Sequence, residues 1–231
     1  IVLRVTSSGL ASTVTIDQPA NPGFTPIVVN LTTGGSQTVD LTNWINQIEN
    51  RPPDQVLNNG IRITATEPIT AYYEVVSAQC ACNPEIFALK GGNALGTDFF
   101  IPMQNFLDNQ NTYNPVPFSS FDIVATQNNT TVNIIPSNDI VGHTAGTPFS
   151  IVLNQGQSYS ATATSGLAAN HLHGSSVSAD KPIAITMKDD LLSGAPFGGC
   201  ADIGGDQIIP LERLGNEYII NRGFLNAPYD Q

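Results

Sequence analysis

The chain has 231 residues, of which 41% are hydrophobic and only 12% are charged, and its formal net charge is −11. This balance argues against nucleic acid and anionic membrane surfaces as partners, because both are bound through clustered Lys and Arg side chains, and the sequence has no such cluster. The charged residues that are missing are replaced by Thr, Ser, Asn, Gly and Pro, a composition that favours strands and is typical of secreted and cell-surface β-proteins. No apolar run is long enough to cross a bilayer, so we expect no direct membrane insertion.

Short strands separated by turn signals are predicted along the first half of the chain. β-branched residues and partial alternation of apolar and polar residues indicate strands at 1–7, 12–17, 25–31, 35–41, 60–66 and 68–76. One helix is predicted at 40–51, where Trp44, Ile45 and Ile48 recur at helical spacing after an Asp/Thr start.

The second half repeats this pattern without the helix. Strands are predicted at 95–102, 121–127, 130–136, 148–154, 157–163, 174–179, 182–188 and 214–220. A turn is expected at "ADKP", residues 179–182, between two of these strands.

Several segments recur in the same order at a nearly constant distance, which predicts an internal duplication with a period of about 118 residues. The aligned pairs are 12–16 with 130–134, 58–75 with 172–189, 95–107 with 214–225, and Cys82 with Cys200, at offsets of 118, 114, 119 to 118, and 118.

The duplication predicts an all-β fold made of two tandem homologous β-sandwich-like modules, with a closed propeller-like assembly of antiparallel sheets as the alternative. We expect module 1 at 1–94 and module 2 at 95–213. Residues 214–231 are then the first strand of a following repeat, or a closing strand that supplies module 1 with the opening strand it lacks.

The segments "GGCADIGGDQIIPLERLGNEYII", "VSADKPIAITMKDD" and "FDIVATQNNTTVNI" resemble the repeat signature of the IgG Fc-binding protein N-terminal domain family. The resemblance covers about 95–231 closely and extends more loosely through "CNPEIFALKGGNALGTDFFIP". It implies an extracellular, β-rich, tandemly repeated module of a large surface protein of bacterial type. Antibody binding does not follow from it, because the resemblance brings no motif of binding residues. In the family two cysteines often flank the loop before the "DQ" segment, whereas here Cys200 stands alone.

The glycine-rich stretch at 198–210, "GGCADIGGDQIIP", raises the question of a ligand loop. A dinucleotide loop is excluded, because a strand rather than a helix is predicted to follow and the glycine spacing is wrong. A structural turn with glycines at positive φ is favoured. A Ca²⁺ site is the alternative, with Asp189, Asp190, Asp202 and Asp206 as candidate ligands. No other cofactor is predicted.

The three cysteines do not form an even disulfide framework. Cys80 and Cys82 could pair in a small ring, Cys82 could pair with Cys200, or all three could be free thiols. His171 and His173 are expected on one face of a strand, a spacing that can chelate Zn²⁺, although structural or surface histidines are favoured.

No catalytic constellation is visible, since G-x-S-x-G is absent and Asp189 and Asp190 are expected to point to opposite faces of a strand. The sequence therefore predicts a non-catalytic extracellular or cell-surface module that acts in adhesion or ligand binding, with neighbouring repeats and an extracellular protein or glycan as partners. A carbohydrate-binding module or, less favoured, a glycan-directed hydrolase is the alternative. The first of these needs exposed aromatic residues on one face, for which the candidates are Trp44, Tyr72, Tyr73, Phe99, Phe100, Tyr113 and Phe118.

Overall fold

The computed structural model describes residues 1–75, 85–193 and 201–221, and nearly half of them lie in antiparallel strands. Strands β1 to β8 are Val2–Ser7, Ser12–Asp17, Ile27–Leu31, Ser36–Asp40, Val56–Leu57, Arg62–Ala65, Ile69–Val75 and Glu85–Leu89. Strands β9 to β16 are Gly96–Phe100, Asp108–Asn109, Ser119–Ala125, Thr130–Ile135, Phe149–Leu153, Ser158–Thr162, Ser176–Ser193 and Ala201–Gln207. The predicted all-β class is confirmed.

Helical structure is limited to short pieces in the described residues. A one-turn helix α1, Ile45–Ile48, follows a 3-10 turn at Thr42–Trp44, and further 3-10 turns lie at Gly91–Ala94, Ala168–Asn170 and Leu211–Arg213. None of these helices is long and apolar enough to cross a membrane. The helix predicted at 40–51 is thus present but much shorter than expected.

The first half of the chain (1–94) forms two antiparallel sheets. Their strand orders are β4-β1-β7-β8 and β3-β2-β6. Because side chains alternate between the two faces of a strand, Leu3 and Val5 of β1 and Val14 and Ile16 of β2 lie in one buried cluster between the two sheets. The two sheets therefore enclose a common core, as in a sandwich.

The second half (95–213) has a similar plan among its described residues, but one strand is much longer. Strand β15 is 18 residues long. Its start pairs with β12 and β9, and its continuation from Ile183 pairs with β11 and β16. One strand thus serves two groups of strands, β14-β11-β15-β16 and β13-β12-β15-β9, and the largest buried cluster of the protein lies between them. The turn predicted at 179–182 is wrong, because the strand continues through it.

The strand pairing of the first half recurs in the second half with the same register. Val5 pairs with Ala71 in the first half, and Ile123 pairs with Ile185 in the second, at offsets of 118 and 114 residues. The β1–β4, β2–β3 and β2–β6 pairings recur in the same way as β11–β14, β12–β13 and β12–β15. The offsets of 118 and 114 are the ones found in the sequence, whereas β3 and β4 correspond to β13 and β14 at an offset of 122. Residues 214–220 do not form the strand predicted for them, since they have no strand pairing and are all exposed. The module boundaries at 94 and 213 stay predictions.

A segment of the first half crosses over to cover an edge of the second. Strand β5 pairs with β14, so Leu57 lies opposite Ser158. Nearby, the Asp54 carboxylate accepts a hydrogen bond from Tyr159 Oη at 2.7 Å and lies 3.0 Å from His143 Nε2. The halves are therefore joined by both backbone and side-chain hydrogen bonds.

Candidate binding site

A shallow groove of about 380 Å³ lies on the outer face of the β13-β12-β15-β9 group of strands. Because alternate residues of a strand point to opposite faces, each strand sends one set of side chains into the core and the other into the groove. On β9, Phe99 is 1% exposed and belongs to the core, whereas Phe100 is 57% exposed and lines the groove. The floor is therefore a rigid sheet with a packed core behind it.

The strand register sorts the groove into two rows of side chains. One row runs from Phe100 across Ser176 to Ile135 and is mainly apolar. The second row runs across Asp98, Ser178, Asn133 and Ser150 and is polar.

The two rows offer different interactions to a ligand. Phe100 presents a large exposed ring, which can stack on or bury an apolar or sugar surface. In the polar row Ser150 Oγ donates to Asn133 Oδ1 at 2.6 Å, and the NH₂ group of the exposed Asn133 keeps its capacity to donate. The groove can therefore bury an apolar group at one side and hydrogen-bond its polar neighbours at the other.

The end of the groove is closed by the 3-10 turn at Leu211–Arg213. Glu212 Oε1 accepts a hydrogen bond from the backbone N–H of Thr97 at 3.0 Å, and Leu211 lines the groove. Gly96 permits this contact, because a Cβ there would overlap Glu212 and Pro210. The glycine at the start of β9 thus allows the rim to dock closely.

Of the other aromatic candidates from the sequence, Phe99 alone also borders this groove, and its ring is buried in the core. Tyr113 and Tyr72 are exposed elsewhere, and Tyr73 is half-buried and stacks on Phe87 at 5.1 Å between ring centroids. Trp44 and Phe118 are also half-buried. The groove was missed from the sequence because its polar row consists of ordinary strand residues, and only the register brings them together.

Asp189, a candidate Ca²⁺ ligand, lies instead in a buried polar cluster. The carboxylate is 3% exposed. Its Oδ1 accepts a hydrogen bond from Asn109 Nδ2, and its Oδ2 accepts one from Gln104 Nε2, both at 2.8 Å. His171 Nδ1 lies 3.0 Å from the same Oδ2. Gln104 and Asn109 follow β9 and His171 precedes β15. Their contacts with Asp189 therefore hold both segments against β15.

His171 is fully buried, and burial alone favours its neutral form. The hydrogen bond and the negative charge of Asp189 outweigh that effect, so the pKa of His171 is raised above its ordinary value. A His–Asp pair resembles part of a catalytic triad, but a general base must reach its substrate. The complete burial of this imidazole makes it a structural group.

The four candidate metal ligands are dispersed. Asp206 forms an ion pair with Lys90, Asp202 is exposed on β16, and burial raises the pKa of the partly buried Asp190. Within 1–75, 85–193 and 201–221, no three His, Cys, Asp or Glu side chains are grouped so as to hold a metal ion.

Two expectations about the glycine-rich stretch and the histidines are wrong. Residues 201–207 form strand β16 rather than a turn, and Gly204 and Gly205 do not have positive φ. His171 and His173 follow a 3-10 turn and are not in a strand, and only His171 is buried. Cys80, Cys82 and Cys200 lie outside the described residues, so the disulfide alternatives stay open.

Comparison with known proteins gives one result. A family model described as IgGFc binding protein matches residues 87–230, which is more than half of the chain and includes β9 and every other strand that lines the groove. No curated protein and no solved structure matches the chain.

Proposed function

Because the chain belongs to the IgGFc binding protein family, we propose that it is a non-catalytic, extracellular binding module of a larger cell-surface or secreted protein. In this proposal the module acts in adhesion, and neighbouring modules present several copies of a binding surface to increase avidity. The partner is an extracellular protein, for which an immunoglobulin Fc fragment is the first probe because of the family's description.

The groove on β9, β12, β13 and β15 is the observation that carries the proposal. It combines an exposed aromatic ring with a row of hydrogen-bonding side chains on a sheet that is packed from behind. Protein-binding surfaces use this combination of an aromatic anchor and a polar surround. The surface is shallow and open, which suits a protein side chain better than a small molecule enclosed in a deep pocket.

A glycan is the second candidate, supported by the same ring. Aromatic side chains provide flat apolar faces, and here Asp98, Asn133 and Ser178 lie beside the Phe100 ring to accept from or donate to hydroxyl groups. A hydrolase is not proposed, because glycoside hydrolysis needs a pair of accessible carboxyl groups, whereas the groove contains Asp98 alone among Asp and Glu.

The proposal predicts that Phe100→Ser weakens ligand binding at least tenfold. An exposed ring that becomes buried in a complex contributes about 1.5–3 kcal/mol, which corresponds to one or two orders of magnitude in Kd. We would immobilise the chain and measure binding of Fc by biolayer interferometry, and screen a glycan array in parallel. The variant should lose binding to whichever ligand the native chain binds.

Tyr113→Ser is the matched control, because Tyr113 is also an exposed aromatic residue, 50% accessible, but lies outside the groove. It should bind like the native chain. Equal loss in both variants, or retained binding by Phe100→Ser, would exclude the groove as the binding surface. Glycan binding without Fc binding would replace the protein partner by the second candidate.

A further inference from the structure

A second, smaller pocket lies outside the groove on the second half of the chain. Its volume is about 150 Å³, which is below the range of about 300–1,000 Å³ that is usual for a drug-sized ligand. It lies between the loop that follows β12 and the loop that follows β14. The lining residues are polar except for one alanine: Asn138, Asp139, Ala145, Thr164, Ser165 and Asn170.

Hydrogen bonds between the two loops fix the walls of this pocket. The backbone N–H of Thr164 donates to Asp139 O at 3.1 Å. Asn138 Nδ2 donates to His171 O at 2.8 Å. The two loops are therefore held at a set distance from each other.

Each loop is also braced internally by a side chain that lines the pocket. In the loop after β12, Asp139 Oδ1 accepts a hydrogen bond from the N–H of Ala145 at 2.8 Å. In the loop after β14, Asn170 Nδ2 donates to Ser165 Oγ at 2.9 Å. A pocket that is formed before its ligand arrives loses little entropy on binding.

These internal bonds use most of the N–H donors of the pocket and leave several acceptors available. Asn138 Nδ2 donates to the carbonyl oxygens of both Ala169 and His171. Within the part of the chain that the structure describes, no hydrogen bond reaches Asp139 Oδ2, Asn138 Oδ1 or Asn170 Oδ1. A ligand therefore meets more acceptor atoms than donor atoms.

The charge of the pocket selects the same kind of ligand. Asp139 is the one charged residue among the lining residues, and the chain has a net charge of −11. An anion would be repelled and would find few donors. A Ca²⁺ ion takes six to eight oxygen ligands and favours several carboxylates, whereas one carboxylate lines this pocket. Ammonium and guanidinium groups complement it, because they are cationic and carry three and five N–H donors.

We propose that this pocket binds a cationic group with several N–H donors, either an ammonium or a guanidinium group, and that Asp139 is its counter-ion. The same chemistry is offered by Lys and Arg side chains of a protein and by amino sugars. The negative charge of the whole chain attracts such groups. Because Asp139 is exposed and its charge is screened by solvent, a single such group should bind with a Kd in the millimolar range.

The pocket lies close to the groove along the chain. Ile135 ends the apolar row of the groove, and Asn138 follows three residues later, so their Cα atoms are at most about 11 Å apart. A protein that fills the groove can therefore reach the pocket with a neighbouring Lys or Arg. The proposal itself does not depend on a ligand in the groove, because small cations alone test it.

The first half has no equivalent carboxylate. The offset of 118 that relates β2 to β12 places Asn138 and Asp139 on Ala20 and Asn21. We therefore expect one cation per chain.

Nuclear magnetic resonance titration of the ¹⁵N-labelled chain with n-butylammonium chloride tests the proposal. At pH 7 and low ionic strength, the amide signals of Ala145, Thr164 and Ser165 should shift and saturate, and added salt should weaken the binding. Tetramethylammonium is the matched probe, because it has the same charge but no N–H donor. It should bind several-fold more weakly.

Asp139→Asn should weaken butylammonium binding about fivefold, because the amide keeps an acceptor for the N–H of Ala145 but removes the charge. Asp180→Asn is the matched control. Asp180 is also exposed and its Oδ1 also accepts a backbone N–H, that of Thr131 at 2.8 Å, but it lies outside the pocket. This variant should bind like the native chain, and the spectra of both variants show whether they are folded.

Titrations with N-acetyl-lysine methylamide, N-acetyl-arginine methylamide and glucosamine identify the source of the cation. Tightest binding of an amino-acid derivative indicates a protein side chain, and tightest binding of glucosamine indicates an amino sugar. The proposal is overturned if none of the cations causes a saturable shift up to about 100 mM, or if Asp139→Asn binds as well as Asp180→Asn. Equal binding of tetramethylammonium, or tighter binding of Ca²⁺ than of any ammonium probe, would also overturn it.

Discussion

Asp189→Asn is expected to destabilise the fold substantially, although the side chain changes by one atom. The carboxylate accepts hydrogen bonds from Asn109 and Gln104 and lies against the buried imidazole of His171. An amide in its place keeps one acceptor oxygen. Its NH₂ group then faces a side-chain donor instead of accepting from it, and the negative charge that faces His171 is lost. Breaking a buried pair in this way costs about 3–5 kcal/mol, and the retained acceptor places our expectation near the lower limit, at about 3 kcal/mol.

Urea denaturation followed by circular dichroism measures this change. With a slope of about 3 kcal/mol per molar urea for a chain of this size, the midpoint should fall by about 1 M. Asp202→Asn is the control, because Asp202 is exposed on β16 and its substitution should change stability by less than about 0.5 kcal/mol. Equal midpoints for the two variants would refute the assigned role of the buried cluster.

The same variant also has a pH signature. The folded-state pKa of His171 is raised, so below its ordinary pKa of 6.5 both states carry the proton and the stabilisation by Asp189 is complete. As the pH rises above 6.5, His171 loses its proton in the unfolded chain while it keeps the proton in the folded chain. The stabilisation by Asp189 therefore declines until the pH passes the folded-state pKa. The native chain should therefore lose up to about 1.4 kcal/mol per pH unit in that window relative to Asp189→Asn. Parallel pH profiles would contradict the reasoning.

Two further predictions concern the groove rim and metal binding. Gly96→Ala should cost about 1–3 kcal/mol in thermal unfolding, because the added Cβ overlaps Pro210 and Glu212, whereas Gly92→Ala, which meets nothing within 4 Å, should be nearly neutral. If both glycine variants melt alike, the close docking of the rim is not what Gly96 provides. Excess EDTA should leave the melting temperature unchanged, because the candidate carboxylates are dispersed. A decrease that Ca²⁺ restores would instead show a metal bound to the native state.

Strand positions were predictable from the sequence where alternation is strong. Segments such as 12–17 and 130–136 alternate and contain several β-branched residues, and the structure places β2 and β12 there. The aligned repeats also gave the offsets of 118 and 114 that relate β1, β2, β6 and β7 to β11, β12 and β15, but not the offset of 122 that relates β3 and β4 to β13 and β14. Register follows from such offsets because a shift by one residue would exchange the core-facing and outward-facing sides of every strand.

The predictions from the sequence that were wrong have local physical causes. A turn at 179–182 was expected to separate two strands, but β15 leaves β12 after Ala179 and joins β11 at Ile183, so Pro182 lies where the strand changes partners and its missing N–H costs no ladder bond. Gly205 was expected in a turn. It lies instead in β16, where an added Cβ would be 3.3 Å from Phe87 Cε1. The glycine therefore permits close packing against this ring.

The short helix and the groove illustrate two further limits. Helix α1 ends at Ile48 because Glu49 is extended, and the prolines that follow at 52 and 53 disfavour helical backbone before them. The groove depends on contacts between residues as distant as Phe100 and Ser176. Such contacts carry no local sequence pattern, so only the folded register reveals them.

The two halves share a strand plan but not a binding surface. The apolar row of the groove is Phe100, Ser176 and Ile135, and the offsets place Arg62 and Asp17 at the positions of the first half that correspond to Ser176 and Ile135. Arg62 donates to both carboxylate oxygens of Asp17, at 2.9 and 2.5 Å. The outer face of the first-half sheet therefore presents an ion pair where the groove presents an apolar row. The stoichiometry of bound ligand should accordingly equal one per chain.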